Sequence, residues 1–129
     1  MPLQSIHTPN APAAIGPYSQ AIRAGNLLFV SGQIPVDPAT QQLQLFAGDV
    51  AQQTALVLRN LAAILGAAGA SLAQVAKTTV FLQNLADFGA MNGAYEAAFG
   101  AHRPARACVE VARLPKDVAV EIDAVAVMA

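Results

Sequence analysis

The stretch RPARACVEVARLPKDVAVEIDAVAV, from Arg103 to Val127, restricts the fold more than any other part of the chain. It reads as two strand-like runs, and strand side chains alternate between faces. In the first run Ala107, Val109 and Val111 share an apolar face, with Arg106, Cys108 and Glu110 on the other. In the second, Val118, Val120, Ile122 and Ala124 share a face; Glu121 and Asp123 point the opposite way, with Val125 and Val127 beyond them. Pro115 suits a turn between the runs, so an antiparallel hairpin is expected, its register left open by sequence alone. With helices covering the apolar faces, the other side of the sheet would hold Arg106, Cys108, Glu110, Glu121 and Asp123.

Two readings of that charged face stand. One is a solvated sheet surface carrying both signs of charge, as antiparallel sheets often show. The other is a pocket in which Arg106 grips a carboxylate and Glu121 handles a proton or a water. The planar fork of arginine meets a carboxylate bidentately, and glutamate can do acid–base work when burial tunes its pKa.

Composition bears on the choice. Only 12% of the 129 residues are charged while 55% are apolar, against about 25% charged in ordinary soluble domains. Scarce charge favours the pocket and points to burial between subunits, hence an oligomer. The length fits a single domain, residues 1–129. A net charge of −1 makes no electrostatic case for nucleic acid or an anionic membrane. A lone cysteine, Cys108, excludes an intramolecular disulfide and fits a reducing compartment. No basic start followed by an apolar run is present, so no secretory signal is expected. Arg59, Asn60, Lys77 and Asp123 interrupt the longest apolar segments, so no bilayer span is expected and a cytoplasmic location is.

Upstream, the first eighteen residues are rich in proline and alanine and read as extended. Ser19–Ala24 and Leu27–Ser31 read as hairpin arms around a Gly25-Asn26 turn. Gly32, Pro35 and Pro38 begin a loop, and QQLQL a short strand. GDVAQQTALVLRNLAAILGAAG is the best helix: Asp49 caps it, Gln52 answers as in a capping box, and Gly69 stops it. Val50, Thr54, Val57, Leu58, Leu61 and Leu65 fall on one stripe, with Gln52, Gln53, Arg59 and Asn60 off it. QVAKTTVFLQN reads as a strand. DFGAMNGAYEAAFG reads as a second helix capped by Asp87 and ended by Gly100, with Phe88, Met91, Tyr95 and Phe99 at helical spacing. The order strands, helix, strand, helix, strand, strand predicts an α+β sheet with two helices on one face. His7 and His102 have no acidic or thiol neighbours at metal-ligand spacing, so no metal site is expected.

The blocks APAAIGPYSQA (11–21), SGQIPVDP (31–38), KTTVFL (77–82) and PARACVEVARLPKDVAVEI (104–122) resemble the RidA family, the YjgF-type reactive intermediate deaminases. The resemblance runs from about residue 7 to 127. It implies a chorismate-mutase-like fold with a mostly antiparallel sheet, assembled as a homotrimer whose sheets form a central barrel with ligand clefts between subunits. It implies hydrolysis of reactive 2-imino acids and enamines, released by pyridoxal-phosphate dehydratases, to 2-oxo acids and ammonia, with no metal or organic cofactor. By the same resemblance Arg106 binds the substrate carboxylate, Glu121 holds the attacking water, and Tyr18, Ser31 and Gly32 line the cleft. Cys108 lies beside the substrate without acting as a nucleophile. Asn92, off the apolar stripe of the second helix, is a further cleft candidate. The segment FGAHRPAR (99–106) is shorter than in members with an extra aromatic-containing loop, which bears on substrate preference. A non-catalytic trimer that binds 2-oxo acids would use the same motif. RNA cleavage, attached to some members, fits poorly with the charge.

Overall fold

The computed structural model describes residues 2–129. Strands β1 (Leu3–Ile6), β2 (Ala21–Ala24) and β3 (Leu27–Gln33) lead through short strands β4 (Val36–Asp37) and β5 (Gln42–Leu43) into helix α1 (Val50–Ala67). Then follow β6 (Val75–Leu82), α2 (Phe88–Phe99), β7 (Ala105–Glu110) and β8 (Val120–Val127). The main sheet has the order β1-β2-β3-β8-β6-β7, and β4 and β5 form a separate ribbon. Every neighbouring pair in the main sheet is antiparallel except β6 and β7, which are parallel.

The β2–β3 hairpin closes at Gly25-Asn26, with Gly25 at φ 63°. Glycine reaches that left-handed region without steric cost. The opening segment contributes an edge strand, β1, that propensity alone does not suggest. Its partner β2 supplies the hydrogen bonds that proline-rich sequence around it cannot.

Helix α1 begins as its sequence predicts. Asp49 accepts from the Gln52 backbone N–H at 3.1 Å, and the Gln52 side chain adds a bond to the other carboxylate oxygen at 3.0 Å. Past its last residue, Gly69 takes φ 83° and the Ala70 N–H returns to the Leu65 carbonyl, so the terminal carbonyls are satisfied. The buried stripe carries Val57, Leu58, Leu61, Ile64 and Leu65 against the sheet, each contributing roughly 1.5–3 kcal/mol by its burial. Gln53 and Asn60, expected on the outer side, are buried instead. Gln53 donates to the Leu45 carbonyl and accepts from the Ala119 N–H, and Asn60 donates to the Val36 carbonyl. These amides tie α1 to the backbone at Leu45 and Ala119 and to strand β4, so each buried polar group has a hydrogen-bond partner.

Helix α2 packs Met91, Tyr95 and Phe99 inward and ends at Gly100, φ 65°. The Asp87 side chain makes no capping bond; Asn84 caps the preceding turn by accepting from the Ala86 N–H.

Both helices cover one face of the main sheet. Leu28 and Val30 of β3, Thr78 and Val80 of β6, and Ile122 and Ala124 of β8 are buried there. The opposite face is open and carries a set of apolar side chains: Leu27, Phe29, Val109 and Val127 are 37–45% exposed.

The last two strands depart from the expected hairpin. β7 and β8 do not pair; β6 lies between them. Arg106 stands opposite Thr78, and Cys108 opposite Val80, on the helix-bearing side. Glu121 stands opposite Phe81, and Asp123 opposite Thr79, on the open side. The alternation within each run is as read from sequence, but the two runs face opposite ways relative to the helices. In β7 the apolar Ala107 and Val109 look to the open face, and Arg106 and Cys108 look toward α2.

Candidate functional site

The predicted residues gather into two groups. The first lies where β7 meets α2. Arg106 Nη1 donates to Asn92 Oδ1 at 2.7 Å. Its Cζ lies 4.8 Å from the Tyr95 ring centroid and 5.4 Å from that of Phe88, within cation–π range. The Tyr95 hydroxyl shares a 2.7 Å hydrogen bond with Thr78 Oγ1. Asn92, Tyr95, Glu96, Arg103, Pro104 and Arg106 line a cavity of about 380 Å³. Phe88, Asn92 and Tyr95 follow at steps of four and three along α2, one stripe of the helix. Asn92, expected off the apolar stripe of this helix, shares the side of it that carries Phe88 and Tyr95, and its spacing of four and three from them is the sequence signal that links all three to Arg106.

Cys108 is two residues along β7 and half-buried. Burial pushes its thiol up, against a smaller opposing pull from Arg106. A thiol so placed is protonated near neutrality and is a poor nucleophile. Glu110, on the same side of β7, accepts from the Leu85 N–H at 2.8 Å and is structural.

The second group surrounds Glu121. The β3–β8 ladder pairs Val30 with Ala124 and then Gln33 with Ile122, so Ser31 and Gly32 together face Asp123 in a bulge. This brings the Gly32 backbone against the Glu121 carboxylate: a Cβ on Gly32 would sit 2.3 Å from Oε2. Ser31 Oγ is engaged elsewhere, donating to the Ser19 carbonyl at 2.5 Å. Tyr18 is exposed on a turn in which its N–H donates to the Gly16 carbonyl at 2.9 Å. Gly16 takes φ 126° there, a conformation open to glycine. Tyr18, Gly32, Gln33, Ile34, Lys116 and Glu121 are among the groups lining a cavity of about 450 Å³.

Burial raises the Glu121 pKa, and the neighbouring Asp123 charge raises it further. Asp123 is itself held by the Thr79 N–H at 3.2 Å. The result is a carboxyl with enhanced proton affinity beside a glycine backbone and an open cavity. Among the described residues no group of three or more His, Cys, Asp or Glu could hold a metal ion. No described helix is long and apolar enough to cross a membrane.

Arg106 and Asn92 thus line one cavity, with Cys108 two residues along β7 outside its lining, and Tyr18, Gly32 and Glu121 line another. Within one chain the sheet itself separates the Arg106 and Glu121 side chains.

A family model described as Endoribonuclease L-PSP matches residues 8–128. A RutC family protein of Pyrococcus horikoshii is 56% identical over 121 residues, 94% of each chain. A 2-iminobutanoate/2-iminopropanoate deaminase of Escherichia coli is 52% identical over 127 residues, covering 96% of this chain and 97% of that one. Among solved structures, E. coli TdcF with bound serine superposes with a TM-score of 0.91 at 46% identity, over 98% of this chain and 99% of that one.

Proposed function

The chain belongs to the YjgF/RidA family, whose model carries the endoribonuclease L-PSP description, and on that ground we propose that it hydrolyses 2-imino acids and their enamine tautomers to 2-oxo acids and ammonia. The observation that carries the reading is the division of the site. A cavity walled by an arginine and a cavity walled by a proton-avid glutamate lie on opposite faces of one sheet. A small ligand can reach both only if a second copy brings its Glu121 cavity against the first copy's Arg106 cavity. The open face bearing the apolar Leu27, Phe29, Val109 and Val127 supports such an assembly, because a monomer leaves that area in water. We assign the assembly as a homotrimer with its clefts between neighbours.

In the complete cleft Arg106 fixes the substrate carboxylate with its fork. That orients the C=N carbon toward a water held by Glu121 of the neighbouring copy. Glu121 takes a proton from the water as its oxygen bonds to carbon, and that proton passes on to the imine nitrogen to give the neutral carbinolamine. The hydroxyl proton of the carbinolamine then moves by way of Glu121 to the amine nitrogen, the C=O bond forms as the C–N bond breaks, and ammonia leaves with the 2-oxo acid behind. The raised proton affinity of Glu121, set by its burial and by the neighbouring Asp123 charge, suits a group that accepts a proton from water. Imines hydrolyse readily in water, so positioning supplies most of the acceleration. Gly32 leaves room for the carboxylate, Tyr18 closes the cleft, and Cys108 contributes its main chain and a neutral side chain.

A carboxylate-binding trimer without turnover would share Arg106, but would have no use for a proton-avid Glu121. The serine bound to TdcF is a small amino acid carboxylate held by a relative, and it supports the ligand class. RNA cleavage has less to recommend it: seven Lys and Arg against eight Asp and Glu leave little to hold a phosphate backbone.

The test couples a threonine dehydratase to semicarbazide trapping, with and without the protein. The expected outcome is a fall in trapped imine. Unchanged trapping would refute the enzymatic reading. Light scattering should return about three times the 13.2 kDa chain, and a monomer at micromolar concentration would remove the shared cleft.

A further inference from the structure

We propose that Gln33 accepts an N–H of the substrate nitrogen, which makes the Glu121 cavity the nitrogen end of the cleft. The inference rests on the imine reading given above and names the group that holds the nitrogen. Three glutamines line that cavity: Gln20, Gln33 and Gln41. Two of them spend both ends of the amide on backbone. Gln20 Oε1 accepts from the Thr8 N–H at 2.7 Å, and its Nε2 donates to the Pro12 carbonyl at 2.8 Å. Gln41 Oε1 accepts from the Ala13 N–H at 2.9 Å, and its Nε2 donates to the Pro38 carbonyl at 2.8 Å. Gln33 differs. Its Nε2 donates to the Ser31 carbonyl at 3.2 Å and the Gly32 carbonyl at 3.5 Å, and only the NH2 end of an amide can face two carbonyls. Its Oε1 has no hydrogen-bond partner among the described residues.

The side chain leaves β3 opposite Ile122 and turns back on the bulge whose Gly32 lies against Glu121. Gln33 is only 6% exposed. No side-chain oxygen of a described residue is both sealed from solvent and unpartnered, so what shows of Gln33 includes Oε1. The cavity it opens into is the one that holds Glu121. A polar atom in so buried a residue needs a donor, and the reaction supplies one. The carboxylate and the 2-oxo group of the product carry acceptors only, whereas the imine, the enamine and the carbinolamine all carry N–H. A carbonyl oxygen at this end therefore holds the substrate nitrogen and repels the oxo group that replaces it. The bond also strengthens along the reaction. The amine nitrogen gains a proton before it leaves, and hydrogen bonds from a charged donor are roughly twice as strong as neutral ones.

Calorimetry compares two ligands: 2-aminobutanoate, which carries N–H on a tetrahedral carbon, and 2-oxobutanoate, a stable product-type ligand without N–H. Gln33→Met replaces the amide with an unbranched apolar chain that fills the same space. Affinity for 2-aminobutanoate should fall about tenfold, the scale of a lost hydrogen bond to a charged group, while affinity for 2-oxobutanoate is kept. Equal losses for both ligands would mark a merely structural amide and overturn the proposal, and so would no loss for either. A third ligand decides without any variant, should Gln33→Met fail to fold. In 2-methylbutanoate a methyl group stands where the amino group was. Its binding to the unsubstituted protein at least as tightly as 2-aminobutanoate would overturn the nitrogen subsite. Failure of the unsubstituted protein to bind 2-oxobutanoate would instead overturn the carboxylate reading beneath it.

Discussion

Alanine at position 32 places a methyl group where the Glu121 carboxylate already lies. The added Cβ would be 2.3 Å from Oε2, 3.1 Å from Cδ and 3.3 Å from Cγ. Ordinary contact begins near 3.4 Å, so the nearest oxygen must retreat by about 1 Å. Gly32 is not among the residues with positive φ, so its backbone accepts alanine without strain. The protein should therefore fold. The narrower unfolded ensemble of alanine contributes about 0.4–1 kcal/mol, which offsets part of the cost of moving a half-buried carboxylate. The melting temperature should stay within about 5 °C of the unsubstituted protein, the scale of a 1 kcal/mol change for a chain of this size. Catalysis should not survive so well, because a 1 Å misplacement of a reacting group can cost about 10²-fold. The assay is the semicarbazide competition run at several protein concentrations, beside a thermal melt. A folded Gly32→Ala protein with full imine hydrolysis would refute the placement of Glu121 as the group that holds the water.

Glu121→Gln should still bind 2-oxobutanoate by calorimetry while imine hydrolysis drops, and Arg106→Lys should lose both by one to two orders of magnitude, since an ammonium cannot reproduce the fork. The Glu121 pKa is raised by burial and then by Asp123, so the folded protein binds the proton more tightly than the unfolded chain. Stability then falls as pH rises from the unfolded-state value upward through the folded one. Glu121→Gln should melt higher than the unsubstituted protein at pH 7 and lose that advantage at pH 4, and equal advantages at both would refute the sign. Asp123→Asn removes one cause of the shift, so the acid limb of kcat/KM should move to lower pH in a pH–rate profile. Cys108→Ser should keep hydrolysis within a few-fold, and iodoacetamide should modify Cys108 slowly at pH 7, because burial raises its thiol pKa.

Much of the secondary structure was legible because its causes are local. The Asp49 cap, the Gly69 and Gly100 helix ends and the Gly25-Asn26 turn each depend on a few adjacent residues. The alternation of β8 was equally readable, and it assigned Glu121 and Asp123 to the face opposite Ile122 and Ala124. The roles expected of Arg106 and Glu121 came from the family blocks, which also led to the family itself. The face of β7 was beyond local reading. Its alternation says that Arg106 and Cys108 share a side, but only its parallel pairing with β6 decides that this side meets α2. That pairing joins residues about twenty-eight apart, Thr78 with Arg106, and no nearest-neighbour preference encodes it. The burial of Gln53 and Asn60 was hidden for the same reason, since their acceptors and donors lie on Leu45, Val36 and Ala119. Gly32 reads in sequence as a turn glycine, yet its need is set by the carboxylate of a strand almost ninety residues downstream. The sequence by itself determined which side chains could do chemistry and the period on which they lie; only tertiary packing decided which of them meet, because strand register and the neighbour across the ladder are long-range choices.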